Sequence, residues 1–370
     1  MSSDRGSPRR DAGLGELPAL EARADLVSIE AYTAPQLPAR HRLSTNESPY
    51  PAPRSVTQRI VEEMASADLN RYPDRRARGL VDALAQHNEW PSEGVWAANG
   101  SNEVFLHLML AFGGPNRSVL MFDPTYSLHA TIPRIAGTNV DHMQRTPEFL
   151  IDLDDAVKAV RLRRPEIIMV CSPNNPSGGC EPIATVRTLL EETTGLVVVD
   201  EAYGEFAAPD ESVRSLLDDY PNLVLVKTMS KAWSLAGVRL GYMLGSPALV
   251  SEMAPVRIPY HLSTITQVAG EAALAASDAL RETVESITIE RDRLIVGLQA
   301  MGVLTFPSRA NFVLFRVDDA ASVWKQLLER EVLVRSYSDQ IGLNDCLRVT
   351  AGLPEDTDAF LSAMGDVLDD

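Results

Sequence analysis

A chain of 370 residues, 45% hydrophobic and 23% charged, is long enough for two packed lobes or one large α/β domain with an appendage. Fifty-one acidic residues against 34 basic ones leave a net charge of −17, which argues against nucleic acid or an anionic membrane as a general partner. Three unpatterned cysteines (171, 180 and 346) and six scattered histidines without an H-x-x-x-H pair indicate neither a disulfide framework nor a metal centre, and a reduced cytoplasm fits best.

The opening "MSSDRGSPRRDAGLGEL" has no apolar run of a signal peptide, and residues 1 to about 20 read as a disordered tail. From about residue 50, short apolar runs alternate with helical periodicity. "SVLMF" (118–122), "EIIMV" (166–170), "GLVVV" (195–199) and "LVLVK" (223–227) are too short for helices and rich in branched residues, so each predicts a buried strand. Between them, Val186, Leu189 and Leu190 in "IATVRTLLEET" share one face of a crossover helix. Such alternation builds a largely parallel sheet with both faces covered. After "RIPYHLSTITQ" (257–267) the pattern changes. Amphipathic stretches at 264–276 and 278–300 lead to short strands "LTFP" and "NFVLFR", a helix near 320–330, strands "VLVRS" and "LRVT", and a last helix from about 355. The expected organisation is a tail and N-terminal covering segment over 1–48, a large α/β domain over 49–262, and a smaller α+β domain over 263–370.

Ligands of an open parallel sheet collect at the carboxyl ends of its strands. Polar clusters stand at those ends here. "WAANGSNEVF" runs from a short strand through Gly100 into a helix whose first turn, at Ser101 and Asn102, offers free N–H groups to a phosphate. "DPTYSLH" places Tyr126 just past the strand at 118–122, "SPNNPSG" brings Asn174 and Asn175 into a turn, and "VDEAYGEF" delivers Asp200 and Tyr203. "KTMSKAWSLAGVRLGY" supplies Thr228, Ser230, Lys231 and Arg239, and Lys231 is one of only four lysines in the chain. Alone, each is ordinary: a surface lysine, a turn-forming aspartate, a helix cap, a core tyrosine, an arginine in an ion pair. Together and in this order they suit pyridoxal 5′-phosphate, which needs an imine-forming lysine (Lys231), a carboxylate for its pyridine nitrogen (Asp200) and a phosphate cradle. The cradle would be Ser101, Asn102, Ser230 and Arg239, with Asn175 and Tyr203 at the phenolate oxygen and Tyr126 against the ring.

The order Asn175, Asp200, Tyr203, Lys231, Arg239 resembles the fold-type I, class II aminotransferases, and within them the histidinol-phosphate aminotransferase family. The likeness runs from about Tyr32 to about residue 366, through "RYPDR", "WAANGSNE", "SPNNPSG", "VDEAYGEF", "TMSKA", "GVRLGY", "IPYHLS", "ANFVLF" and "LRVTAG". It implies a mostly parallel seven-stranded sheet sandwiched by helices, plus a smaller C-terminal α+β domain. It also implies a cytoplasmic enzyme moving an amino group between L-histidinol phosphate and 2-oxoglutarate. A homodimer is implied as well, in which Tyr72 of "RYPD" reaches the neighbouring site. Arg348 and Arg335 would grip substrate anions, and Tyr32 and Asn46 would close over the substrate. The chain departs from the family pattern at Ser44, Ser48 and Trp233, positions that touch on substrate choice. Two relatives of the same fold stay open: an aminotransferase for aromatic or specialised amino acids, and a phosphate-recognising decarboxylase. A non-catalytic regulatory module, commonly fused to a DNA-binding domain, is not expected, because the tail before residue 30 is short and shows no helix-turn-helix pattern.

Overall fold

The computed structural model describes residues 23–26, 29, 37–337, 340 and 342–369. The tail expected over residues 1 to about 20, and Tyr32, lie outside the described residues. In chain order the strands are β1 (His41–Arg42), β2 (Val95–Ala98), β3 (Ser118–Asp123), β4 (Asn139–Gln144), β5 (Ile167–Cys171), β6 (Leu196–Asp200), β7 (Leu223–Thr228), β8 (Gly241–Leu244), β9 (Leu304–Thr305), β10 (Phe312–Arg316), β11 (Val332–Leu333), β12 (Arg335–Ser336) and β13 (Cys346–Thr350). The helices are α1 (Arg54–Ala65), α2 (Arg78–Asn88), α3 (Ser101–Phe112), α4 (Leu128–Ile135), α5 (Leu153–Arg163), α6 (Ile183–Glu192), α7 (Pro247–Glu252), α8 (Thr264–Ala275), α9 (Ser277–Ala300), α10 (Ala320–Glu329) and α11 (Pro354–Asp369).

Seven strands form one sheet in the order β2-β8-β7-β6-β5-β3-β4, and only β8 runs against the rest. The strand runs are apolar without interruption because the sheet is covered on both faces. Successive side chains point to opposite faces, and the two faces feed separate cores. Leu120, Phe122, Ile168, Val170, Val197, Val199, Leu223 and Leu225 pack into the core that contains α2, α5 and α6. Their neighbours Val119, Met121, Ile167, Met169, Val198, Val224 and Val226 pack on the other face with Val104, Phe105, Leu108 and Met109 of α3. Each fully buried valine or leucine contributes about 1.5–3 kcal/mol relative to exposure. That burial holds the strand ends, and the polar loops that follow them, in fixed register.

The second, antiparallel sheet has the order β12-β13-β10-β9, with Arg348 of β13 between Leu314 and Arg335 as cross-strand partners. Helix α9 turns Ile287, Leu294 and Leu298 onto the core, a spacing of seven and four that fits one helical face. The expected single strand "VLVRS" is two. Val332 and Leu333 pair in parallel with His41 and Arg42, while Arg335 and Ser336 pair with β13. The segment before residue 48 therefore enters a sheet of its own through β1. Leu43 just after β1 is buried, and its carbonyl accepts the N–H of Thr350.

Candidate functional site

The carboxyl ends of β2, β3, β5, β6 and β7 lie along one edge of the large sheet, and the polar loops open there. Helix α3 begins without a side-chain cap at Gly100, whose φ of +87° belongs to the region glycine occupies most easily. A Cβ on Gly100 would lie 2.7 Å from Nη2 of Arg239, and one on Gly241 would lie 2.2 Å from the Ser101 nitrogen. Two glycines thus let the loop at 99–102 press against the loop at 239–241. Arg239, itself left-handed at φ +58°, donates from Nη1 to the Ser230 hydroxyl at 3.4 Å. Ser101, Asn102, Ser230 and Arg239 are therefore neighbours, and the first-turn N–H groups of α3 stay open beside a guanidinium.

Asp200 ends β6 as a buried carboxylate opposite Cys171 of β5. Its Oδ1 accepts the Ala202 N–H at 3.0 Å, and its Oδ2 lies 2.9 Å from His129 Nε2. Tyr126, three residues before His129, meets that ring edge-on at 5.4 Å between centroids, and its hydroxyl lies 3.5 Å from Asn102 Nδ2. Tyr203 is buried, stands edge-on to Phe312 and accepts from Asn46 Nδ2 at 2.9 Å. Burial pushes the Tyr203 hydroxyl up, while Arg348 and the Asn46 hydrogen bond pull it down.

Lys231 follows β7 on the turn made by Ser230 and Met229, and its Nζ donates to the Thr45 carbonyl at 3.0 Å. The side chain keeps some contact with solvent. Even so, burial first, and then the positive charges of Arg348 and Arg239, lower its ammonium to about 8 against the pull of Glu47. The lowered value leaves far more free amine near neutrality than an ordinary lysine offers, as a nucleophile requires. Carbamylation of Lys231 in cofactor-free protein, followed by peptide mass mapping, is expected to be half-maximal near pH 8. Glu47→Gln should move that midpoint lower, because the carboxylate favours the charged form.

Arg348 is buried on β13 and spans the site. Its Nη1 donates to Asn175 Oδ1, its Nη2 donates to the Ser44 carbonyl at 2.8 Å, and its guanidinium lies over Phe312 and Tyr337 at 5.0 and 5.5 Å. Arg335 is its partner across β12 and β13 and lies 5.9 Å from the same Tyr337 ring. Residues 44–48 cross the site as a strap. Asn46, left-handed at φ +55°, bonds through its side chain to Tyr203 and to the Thr350 hydroxyl, and its backbone oxygen accepts from Asn311.

Lys231, Asn175, Tyr203, Asn46 and Arg348 are joined directly or by charge, Asp200 stands by His129 beneath Tyr126, and Ser101, Asn102, Ser230 and Arg239 form the adjoining seat. Thr228 is buried and spends its hydroxyl on the Ser230 N–H at 3.2 Å, so it shapes the turn that carries the lysine. Tyr72 sits apart from these residues, 80% exposed and stacked on Tyr260 at 4.5 Å. Trp233, expected to touch the substrate side, is buried in the core with its ring edge-on to His87 at 5.1 Å. The Ser48 hydroxyl accepts from Ser234 at 2.8 Å, and at Ser44 the backbone carbonyl does the work. His129 was not anticipated. The one sign of it in the sequence was its place three residues after Tyr126, which puts both rings on one turn.

An edge of strand ends carrying a lysine with a lowered ammonium, a buried carboxylate and an open helix start beside an arginine defines a class. The chain belongs to the class I and II aminotransferase family, whose model matches residues 41–364. Within it, the chain is 43% identical to a histidinol-phosphate aminotransferase of Mycobacterium avium, over 98% of this chain and 91% of that one, and 44% identical to one of Thermobifida fusca, over 93% and 95%. In structure it is similar to the histidinol-phosphate aminotransferase of Sinorhizobium meliloti solved with pyridoxal-5′-phosphate, at a TM-score of 0.87, 24% identity, and 95% and 98% coverage. Among the described residues no helix is long and apolar enough to cross a membrane.

Proposed function

We propose that this chain is a pyridoxal 5′-phosphate-dependent aminotransferase that moves the amino group of L-histidinol phosphate to 2-oxoglutarate, giving imidazole acetol phosphate and L-glutamate. The observation that carries the reading is Lys231, an amine whose ammonium burial and the charges of Arg348 and Arg239 lower to about 8, at the strand end beside the one that bears Asp200. The named relatives above 40% identity supply the substrate pair.

The residues fit the cofactor. The close approach of Gly100 to Arg239 makes a cradle that a side chain would fill, and Asp200 is a buried carboxylate at the end of β6. Ser101, Asn102, Ser230 and Arg239 hold the phosphate, Asp200 holds the proton of the ring nitrogen, and Asn175 and Tyr203 serve the ring hydroxyl, with Tyr126 covering one face. When bound, the cofactor supplies a ring that accepts the electron pair left when the amino-bearing carbon loses its proton. Lys231 would anchor the cofactor, and its Nζ is the group placed to hold the proton taken from the amino-bearing carbon. Histidinol phosphate has no α-carboxylate whereas glutamate has two carboxylates, so the same pocket must receive phosphate in one half-reaction and carboxylate in the other. A guanidinium pairs in a fork with either oxyanion. Arg348 and Arg335, side by side on β13 and β12, are the groups for it, and Asn46 and Tyr32 belong to the segment that closes over the substrate.

The large domain of this reading spans 49–262, the small one 263–370, and residues 1–48 supply the tail and strap. The same reading makes the enzyme a cytoplasmic homodimer; the stacked pair of Tyr72 and Tyr260, exposed on a single copy, supports the dimer. Tyr72→Phe should weaken cofactor binding roughly three- to tenfold by equilibrium dialysis, the effect of one lost hydrogen bond, while sedimentation still finds a dimer. A monomer at assay concentration would remove the shared-site role.

The decisive experiment has two parts. Borohydride treatment of the yellow protein followed by mass mapping should place a pyridoxyl group on Lys231. A coupled assay should show glutamate formed from 2-oxoglutarate with histidinol phosphate in preference to phenylalanine or ornithine-like amines. Release of carbon dioxide would instead mark the decarboxylase. Trp233, packed into the core, gives no support to a substrate pocket remodelled for aromatic donors.

A further inference from the structure

Arg348 and Arg335 stand directly opposite each other across β13 and β12, an arrangement in which like charges repel. Tyr337 lies two residues beyond Arg335 and is still bonded to β13, so the two side chains share a face of the sheet. Its N–H donates to the Cys346 carbonyl at 3.0 Å, and its carbonyl accepts the Gln340 N–H at 2.9 Å. The ring packs against the small buried cluster of Phe149, Leu314, Leu343 and Cys346. Main chain and packing together fix where that ring can stand. Both guanidinium groups reach it: Arg348 lies 5.5 Å and Arg335 5.9 Å from its centroid. Arg348 has a second ring as well, Phe312 at 5.0 Å.

Arg348 is buried, yet the groups that hold it are uncharged: the Asn175 side-chain oxygen, the Ser44 carbonyl and two aromatic rings. Its Nε is sealed from solvent with no hydrogen-bond partner among the described residues. Buried charges are ordinarily held by an opposite charge. A carboxylate in that role would cancel the positive charge that an incoming anion requires, and would repel the anion itself. The face of an aromatic ring attracts a cation through its quadrupole and leaves the charge available. We propose that Tyr337 is a positioning residue for substrate anions: its ring, shared by Arg335 and Arg348, sets the two guanidinium groups at one spacing without bringing a negative charge of its own. This rests on the function proposed above, which gives the two arginines to the substrate, and adds how a like-charged pair is kept in place and kept charged until an oxyanion arrives.

The first test needs no cofactor. In apoprotein with nitrogen-15-labelled arginine, the Arg348 Nε–H signal, assigned by its loss in Arg348→Lys, should carry an upfield ring-current shift. Tyr337→Phe should keep that shift, and Tyr337→Leu should reduce it to the part due to Phe312. In the holoenzyme, Tyr337→Leu should raise the KM for glutamate and for histidinol phosphate roughly two- to thirtyfold, the range of one cation–ring contact, with little change in kcat. The conservative Tyr337→Phe, which keeps the ring face, should hold both KM values close to those of wild type. Should Tyr337→Leu fail to fold, ring-fluorinated phenylalanines at position 337 carry the test, because fluorine drains the face of negative charge at nearly constant shape; both KM values should climb with each added fluorine. An Arg348 signal unmoved in Tyr337→Leu, KM values that ignore fluorination, or a loss confined to kcat overturns the proposal. Wild-type protein that uses neither glutamate nor histidinol phosphate would refute the proposed function, while the apoprotein spectrum would still decide whether the ring holds Arg348.

Discussion

Transamination by the Lys231→Ala variant is expected to fall by at least roughly 10⁴-fold, the upper range for loss of one positioned acid–base group, because in the proposed function the same side chain also anchors the cofactor. The fold should survive. Among the described residues the Lys231 side chain makes one hydrogen bond, to the Thr45 carbonyl, and its surroundings disfavour its charge. Removing a cation from beside Arg348 and Arg239 relieves repulsion, so the thermal midpoint should stay level or rise. Cofactor affinity should fall without vanishing, since Asp200 and the phosphate seat remain. Small primary amines added to the variant should restore part of the proton transfer. Wild-type turnover by this variant, measured with histidinol phosphate and 2-oxoglutarate, would remove the lysine from the mechanism and leave Asp200 and Arg239 without a common purpose.

The parts of the molecule readable from the chain alone are those governed by local pattern. Strands β3, β5, β6 and β7 announce themselves because a sheet covered on both faces demands unbroken branched apolar runs, and their ends carry the cofactor motifs directly. What depends on distant partners stays hidden. Residues 332–336 look like one strand, yet Val334 is where the chain leaves one sheet for another, and the choice is made by His41 and Arg348. Trp233 follows the lysine closely enough to suggest substrate contact, but a residue two places on in a tight turn points elsewhere, here into the core beside His87. A lone histidine is most often a core residue, so the meaning of His129 appears only when β6 brings Asp200 to it across 71 residues of sequence. The strap is similar: nothing local to "LSTNESP" says that three successive carbonyls, at Ser44, Thr45 and Asn46, will accept from Arg348, Lys231 and Asn311.

That strap makes Arg348→Ala the more informative of the two large substitutions. The KM for glutamate is expected to rise roughly ten- to hundredfold, the range for losing hydrogen bonds to a charged group, while the visible absorbance of the bound cofactor persists. Two further effects follow from its contacts. Arg348 is the larger of the two positive influences on Lys231, so without it the lysine ammonium should move up from about 8, and the carbamylation midpoint of the apoprotein should rise with it. The Ser44 carbonyl and Asn175 also lose their common partner, which should leave the strap open to limited proteolysis near residues 44–48. Arg348→Lys should repair the charge effect on Lys231 and not the glutamate KM, because an ammonium cannot span Asn175, Ser44 and a carboxylate together. If glutamate kinetics are unchanged while the lysine midpoint shifts, Arg348 acts on the site through charge alone, and carboxylate recognition passes to Arg335.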